Sequence, residues 1–138
     1  NVELIGINID KDETGQVSLD NHIVNLVKQT AELIDLETHF LKQELVLKSN
    51  YVGDGYGIVG QLEKEAISLT AQYEGILLDP VYTGRAMGGL IDMIRTGTID
   101  QNDKVLFWHT GGTPALFAYS DDLISQQDTN EILQRTRR

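Results

Sequence analysis

The chain of 138 residues contains no cysteine and only 2 prolines, and its 11 basic residues face 21 acidic ones. The absence of cysteine excludes a disulfide framework and thiolate metal ligands, and it agrees with a reducing compartment, so we expect a cytoplasmic protein. The net charge of −10 argues against a nucleic-acid partner, which requires a basic patch. No apolar run approaches the roughly 20 residues that a membrane-spanning helix needs, and no secretory signal is visible.

The chemistry-bearing residues show no familiar ligand or nucleophile spacing. His22, His39 and His109 are too scattered for a zinc site, so we expect no metal. The lysines lie mainly in polar settings, and none is evidently placed in a pocket that would lower its pKa for Schiff-base chemistry. The chain opens at Asn1 and enters an apolar strand at once, from which we expect a piece of a longer protein.

The central pattern of the chain is an apolar run, a sharp turn and a helix. The run from Ile76 to Leu78 lies between Gly75 and Asp79, which predicts a buried parallel strand. Thr83 is expected to cap the following helix and Gly97 to end it. Such turns lie at the carboxyl ends of strands, where open α/β sheets bind ligands, so Tyr82 and Thr83 are predicted to face a site.

The same pattern occurs once more before the chain becomes polar. The apolar run from Val105 to His109 predicts a strand, and Pro114 is expected to start a helix with Thr113 as its cap. Between them, Gly111 and Gly112 allow the backbone to approach a ligand closely. Two such turns in one sheet would form the walls of one pocket.

The remaining segments complete an alternation of strands and helices. Strands are predicted at residues 2–9 and 45–47, and helices follow from Ser18 and over residues 62–73. This order predicts an α/β fold, a parallel sheet with helices on both faces. Residues 120–138 are polar and are expected to form a surface helix or a tail.

A glycine-rich segment from Gly55 to Gly60 matches the letter of the dinucleotide-binding pattern GxGxxG, with Asp79 near the place of its acidic residue. Against a nucleotide site, several residues separate this segment from the strand that ends at Leu47. Asp79 also precedes a proline, which is a common turn pair. We weigh a plain glycine loop at about two to one over a nucleotide site.

Three motifs together resemble the family of D-cysteine desulfhydrases and 1-aminocyclopropane-1-carboxylate (ACC) deaminases, which are pyridoxal-phosphate enzymes. They are YVGDGYG at 51–57, EGILLDPVYTG at 74–84 and HTGGTPAL at 109–116. The resemblance covers about residues 1 to 119. It implies the tryptophan synthase β-like fold and a homodimer, with residues 1–119 as the C-terminal part of the large, cofactor-binding domain. Residues 120–138 lie beyond the strong resemblance, which assigns them no role.

The resemblance also implies site residues. Tyr56 and Tyr82 match the two active-site tyrosines of the family, which contact substrate and cofactor. Thr83 stands where the deaminases typically carry glutamate near the pyridine nitrogen, and Thr110 where they typically carry leucine. The positions implied to contact pyridoxal phosphate are Thr83, Thr110, Gly111, Gly112 and Thr113.

Threonine at both positions, 83 and 110, resembles the desulfhydrase branch. A carboxylate beside the ring nitrogen would favour its protonation more than a neutral hydroxyl does, and we interpret the hydroxyl as better suited to α,β-elimination. The implied activity is cleavage of D-cysteine, or a related sulfur amino acid, to pyruvate, ammonia and sulfide. ACC deaminase, a sulfo-lyase acting on cysteate and a non-catalytic binding homologue remain alternatives.

The resemblance implies that the segment that anchors the cofactor is not in this chain. In the family, the Schiff-base lysine, the substrate-binding serine region and the main phosphate-binding segment lie upstream. We therefore expect the parent protein to be the enzyme, and the 138-residue chain without that missing N-terminal part to be inactive. The exposed edge of an incomplete sheet also predicts association or aggregation.

Overall fold

The computed structural model describes residues 2–10, 18–37, 40 and 42–124. The chain divides into two compact units, Asn1–Tyr56 and Gly57–Arg138.

The first unit contains a parallel pair of strands, β1 (Leu4–Ile7) and β2 (Leu45–Lys48). The register pairs Leu4 with Leu45 and Ile7 with Lys48. Parallel neighbours need a long crossover, and the connection here includes helix α1 (Leu19–Leu33) and a 3-10 turn (Lys42–Glu44). This parallel pair and the helices confirm the predicted α/β class.

Helix α1 begins where its sequence predicts, with Ser18 in extended conformation at the N-cap position. The Ser18 side chain makes no capping bond to the helix backbone. The Lys42 ammonium instead bonds to Asp20 at 2.5 Å and to Asn21 at 3.0 Å, which fastens the 3-10 turn to the first turn of α1. Bonds from Lys42 and Ser18 lower the pKa of Asp20 to about 2.

The second unit is helical, with α2 (Gln61–Glu74), α3 (Thr83–Arg95), α4 (Ala115–Ala118) and α5 (Ser120–Leu123). Helix α2 ends at Gly75, whose left-handed conformation closes the helix as predicted. Helices α2 and α3 pack closely because position 88 carries no side chain. A Cβ atom on Gly88 would lie 2.4 Å from Leu62 Cδ2.

The interior of the second unit contains as many polar as apolar side chains. Its buried apolar residues are Ala66, Leu78, Pro80, Val81 and Met93, and its buried polar ones are Glu63, Thr70, Asp79, Thr83 and Arg85. Buried polar groups are costly unless they are hydrogen-bonded, and no described side-chain polar atom of this kind lacks a partner. No helix within the described ranges is long and apolar enough to cross a lipid bilayer.

The two strands predicted for Ile76–Leu78 and Val105–His109 are not formed. Neither segment pairs with another strand among the described residues, where β1 and β2 make the one sheet. Leu77 is 51% exposed, Leu106 84% and Trp108 79%. The pattern of a strand buried on both faces needs neighbours on both sides, and the described part of the chain provides none.

Two predicted helix starts also differ. Pro114 occupies the N-cap position of α4 instead of the first helical residue, so Thr113 is not the cap, and α4 is a single turn. Thr83 is likewise the first residue of α3 and not its cap. The predicted boundary between residues 119 and 120 stays a prediction, because residues 125–138 lie outside the described ones.

Candidate functional site

The turn before α3 is organised by the carboxylate of Asp79. Its Oδ2 accepts hydrogen bonds from the backbone N–H groups of Val81 and Tyr82, both at 2.8 Å. Its Oδ1 accepts the N–H of Thr83 at 2.7 Å. The first N–H groups of a helix have no partner within the helix, so a carboxylate at this point satisfies them and favours the positive end of the helix dipole. Asp79 therefore caps α3, which is the role that was predicted for Thr83.

The Thr83 hydroxyl accepts one hydrogen bond from Asp79 and donates another to it. Its oxygen accepts the backbone N–H of Asp79 at 2.8 Å, and its proton is donated to Asp79 Oδ1 at 2.6 Å. Asp79 is fully buried and Thr83 is 2% exposed. A hydroxyl has one proton and two lone pairs, so Thr83 retains one lone pair with which to accept a further bond.

Asp79 is held in its ionised form by this arrangement. Burial raises the pKa of the carboxyl group, but the hydrogen bonds from the Thr83 side chain and from the backbone of Tyr82, Thr83 and Val81 together outweigh burial. The pKa of Asp79 therefore lies below its ordinary value.

The second glycine turn packs against the same residue. A Cβ atom on Gly112 would lie 2.8 Å from Asp79 Cβ and Cγ, so only glycine permits this approach. Gly111 and Gly112 have φ angles of +98° and +94°, a region that other residues rarely adopt. Beside Gly111, in contrast, the place of a Cβ atom is open space. The two turns predicted to form one pocket thus meet at Asp79 and Gly112.

The imidazole of His109 joins the two turns at another point. Its Nε2 lies 3.1 Å from the carbonyl oxygen of Leu77, and its Nδ1 accepts the N–H of Gly111 at 3.0 Å. Phe107 meets the ring edge-on, with ring centroids 6.5 Å apart. His109 therefore spans from the segment before Asp79 to the glycine turn.

Behind α3, a buried ion pair fixes the glycine loop. Glu63 accepts a bond from Arg85 Nε through one carboxylate oxygen and from the N–H of Gly60 through the other. Arg85 also donates to the carbonyl oxygen of Ile58 at 2.8 Å. A carboxylate already occupies the start of α2, where a dinucleotide would place its phosphates, and six residues separate β2 from Gly55. Both facts favour the plain glycine loop.

The predicted site residues are distributed over both units. The second unit contains the predicted cofactor positions and one tyrosine: Tyr82, Thr83, Thr110, Gly111, Gly112 and Thr113. Tyr56 belongs to the first unit and is 52% exposed, and Tyr82 is 46% exposed. Within the described ranges, no group of three or more histidine or acidic residues is placed to hold a metal ion.

The sequence patterns missed Asp79, His109, Glu63 and Arg85 as organising residues of this region. One signal was present for Glu63, because it shares the buried face of α2 with Ala66 and Thr70. A charged residue on such a face requires a partner.

Known proteins resemble the chain over most of its length. No family model matches it. An ACC deaminase from Burkholderia multivorans is 45% identical over 98 residues, which are 71% of this chain and 29% of that protein. One from Burkholderia vietnamiensis is 41% identical over 115 residues, 83% of this chain and 34% of that protein. The chain spans about a third of the length of these curated relatives.

A solved structure is similar to this chain in its fold as well as in its sequence. The crystal structure of an ACC deaminase homologue matches 86% of this chain and 34% of its own, with a TM-score of 0.69 and 36% sequence identity. The predicted family resemblance and the predicted fold are both confirmed.

Proposed function

The chain belongs to the family of D-cysteine desulfhydrases and ACC deaminases, and we propose that it supplies one wall of the active site of a pyridoxal-phosphate-dependent lyase. The observation that carries this proposal is the meeting of two turns at Asp79, which brings Thr83 and Gly112 to the same carboxylate. Paired turns of this kind are where α/β folds bind ligands. The cofactor and the activity belong to the proposal, as does the C-terminal position of this chain in the parent protein.

The residues of the second turn fit a planar cofactor. Open space beside Gly111 leaves its backbone accessible, where a side chain would fill the gap. Thr83 adds a buried oxygen with one lone pair to spare, and the hydroxyl groups of Thr110 and Thr113 flank the glycines. Pyridoxal phosphate, when bound, withdraws electrons from the substrate and so stabilises negative charge at its α-carbon. In this proposal Gly111 and Gly112 lie beside the ring, and Thr83 lies near its nitrogen.

The two tyrosines are proposed as the catalytic residues of this chain. Tyr82 directly precedes Thr83 at the start of α3, and its N–H is held by Asp79, so its backbone is fixed relative to the turn. Tyr82 is 46% exposed, and in this proposal its phenol orients a small amino acid or holds a proton. Tyr56 has the corresponding role in the glycine loop.

Thr83 supports D-cysteine as the substrate. Its proton is committed to Asp79, so its oxygen can accept a bond from a protonated ring nitrogen but brings no carboxylate to that atom. The weaker electron withdrawal that results suits elimination of a good leaving group. In that reaction the Cα–H and Cβ–S bonds break, and D-cysteine and water yield pyruvate, ammonia and hydrogen sulfide.

ACC deamination is the second candidate, because the relatives carry that name at 41% to 45% identity. Its substrate and water yield 2-oxobutanoate and ammonia, with cleavage of one ring bond and no sulfide. The names of the relatives favour this reaction. The threonines at positions 83 and 110 favour elimination.

The remainder of the parent protein is the proposed partner of this chain. The segments around Leu77 and Leu106 have no regular secondary structure and expose apolar side chains, as strands of a parallel sheet would without their neighbours. The upstream two thirds of such a protein would cover them and bring the Schiff-base lysine. A homodimer in the cytoplasm completes the proposal, in agreement with the absence of cysteine.

The test uses the protein at its native length. Its visible absorbance is recorded with pyridoxal phosphate, and pyruvate, sulfide and 2-oxobutanoate are measured after addition of D-cysteine or ACC. We expect a Schiff-base band and sulfide with pyruvate from D-cysteine. Formation of 2-oxobutanoate alone would replace the first candidate by the second, and the absence of both the band and turnover would contradict the lyase. The 138-residue chain by itself is expected to give no turnover.

A further inference from the structure

The proposed reaction leaves one well-bonded group unused, the imidazole of His109. Its two ring nitrogens bond to backbone groups of different turns, the carbonyl oxygen of Leu77 and the N–H of Gly111. The Gly111 bond is local, but the Leu77 bond joins positions 32 residues apart. His109 is therefore a cross-link between the turns.

The two partners determine where the ring proton lies. The N–H of Gly111 is a donor, so Nδ1 must be the unprotonated nitrogen that accepts. A neutral imidazole then carries its proton on Nε2, which donates to the Leu77 oxygen at 3.1 Å. Either change, to the other tautomer or to the imidazolium, places a proton on Nδ1 against the Gly111 N–H.

We propose that His109 is a positioning residue whose neutral Nε2–H tautomer holds the Gly111–Gly112 turn against Leu77, and that protonation of the ring releases Gly111. The imidazolium cannot accept the Gly111 N–H but still donates to Leu77, so only one of the two bonds is lost. The glycine turn then keeps its packing against Asp79 and loses its second attachment. This role goes beyond the proposed lyase and needs no cofactor.

Within the described ranges, the His109 ring makes its two hydrogen bonds and an edge-on contact with Phe107. Phe107 meets it with a ring edge, and the charged side chain on the neighbouring turn, Asp79, directs its carboxylate to Val81, Tyr82 and Thr83. Among the residues that the structure describes, no ion pair involves His109.

The experiment is a nitrogen NMR titration of the native-length protein with labelled histidine, between about pH 5 and pH 8. At the upper end we expect His109 with an unprotonated Nδ1 and a protonated Nε2. Exchange of the Gly111 amide hydrogen is followed in parallel and compared with that of an unprotected amide at each pH, because base-catalysed exchange itself slows as pH falls. We expect the protection of Gly111 to fall by about tenfold, the equivalent of one hydrogen bond, as His109 gains its second proton. His22, an exposed residue of α1, is the internal reference.

Two variants of His109 test the bond to Gly111 separately from the bond to Leu77. In His109→Asn the side-chain oxygen can still accept the Gly111 N–H, as asparagine does in turns, but the residue does not titrate, so protection of Gly111 should become independent of pH. In His109→Phe protection should be lost at every pH. The proposal would be overturned by a protonated Nδ1 at pH 8. It would also be overturned if the protection of the Gly111 amide stayed the same when His109 gains its second proton. A missing cofactor band would count only against the lyase, because none of these measurements involves the cofactor.

Discussion

Glu63 and Arg85 form an ion pair inside the second unit, with Arg85 Nε 2.5 Å from Glu63 Oε1 and only 3% and 1% of the two side chains exposed. Each partner also makes a hydrogen bond to the glycine loop. Glu63 accepts the N–H of Gly60, and Arg85 donates to the carbonyl oxygen of Ile58. The pair therefore attaches this loop to both α2 and α3.

Replacement of Arg85 should be strongly destabilising. Arg85→Met leaves the Glu63 carboxylate buried without its cation, and we expect a loss of about 3–5 kcal/mol in the free energy of unfolding. The matched control is Arg95→Met, which removes the exposed pair between Arg95 and Glu65 and should cost about 1 kcal/mol or less. Urea unfolding measures both, and equal losses would show that burial of the first pair has no energetic consequence.

Asp79→Asn should weaken the start of α3. The amide has one acceptor oxygen, whereas the carboxylate accepts four bonds through two oxygens, from Val81, Tyr82 and both groups of Thr83. We expect a loss of about 1–3 kcal/mol by urea unfolding, because buried N–H groups are left without acceptors. Asp121→Asn, in exposed α5, is the control and should change little. A stable Asp79→Asn protein would contradict the capping role.

The stability that Asp79 contributes should disappear in acid. Its pKa is lowered in the folded protein from an ordinary value of 3.8. The folded state therefore binds the proton less readily than the unfolded state, and the contribution is complete above the unfolded pKa and is lost as pH falls through the folded one. Urea midpoints measured from about pH 7 to pH 2 should fall less steeply below pH 4 in Asp79→Asn than in the protein that retains Asp79. Parallel curves would argue against this assignment.

Alanine at the two neighbouring glycines should have unequal effects. Gly111→Ala meets open space and costs only the strain of a positive φ, about 1–2 kcal/mol. Gly112→Ala has the same strain, and its new Cβ also lies 2.8 Å from Asp79, which adds about 1–3 kcal/mol of overpacking. Thermal or urea unfolding compares them. If Gly111→Ala proved the more harmful, the packing of Gly112 on Asp79 would not be the constraint described.

Local patterns in the sequence predicted the helices and the first strands well, because α1, α2 and α3 have apolar faces at helical spacing and β1 and β2 are short apolar runs. The family resemblance predicted the site turns through residues such as Tyr82 and Gly111, and their roles stay predictions. The runs at Ile76–Leu78 and Val105–His109 were wrongly predicted as formed strands, because a strand exists only with a partner and pairing is not a local property. The bonds of Asp79 and His109 depend on side-chain geometry that no spacing pattern encodes.

The contacts of the Asp79 turn also have a kinetic consequence. Its side-chain bonds reach residues no more than four positions away, so closing this turn requires little loop entropy. The Glu63–Arg85 and His109–Leu77 bonds close loops of 22 and 32 residues. We therefore expect the start of α3 to form before the rate-limiting barrier of folding, where Asp79→Asn would slow folding. The contacts of Arg85 and His109 would form after that barrier, where their loss accelerates unfolding.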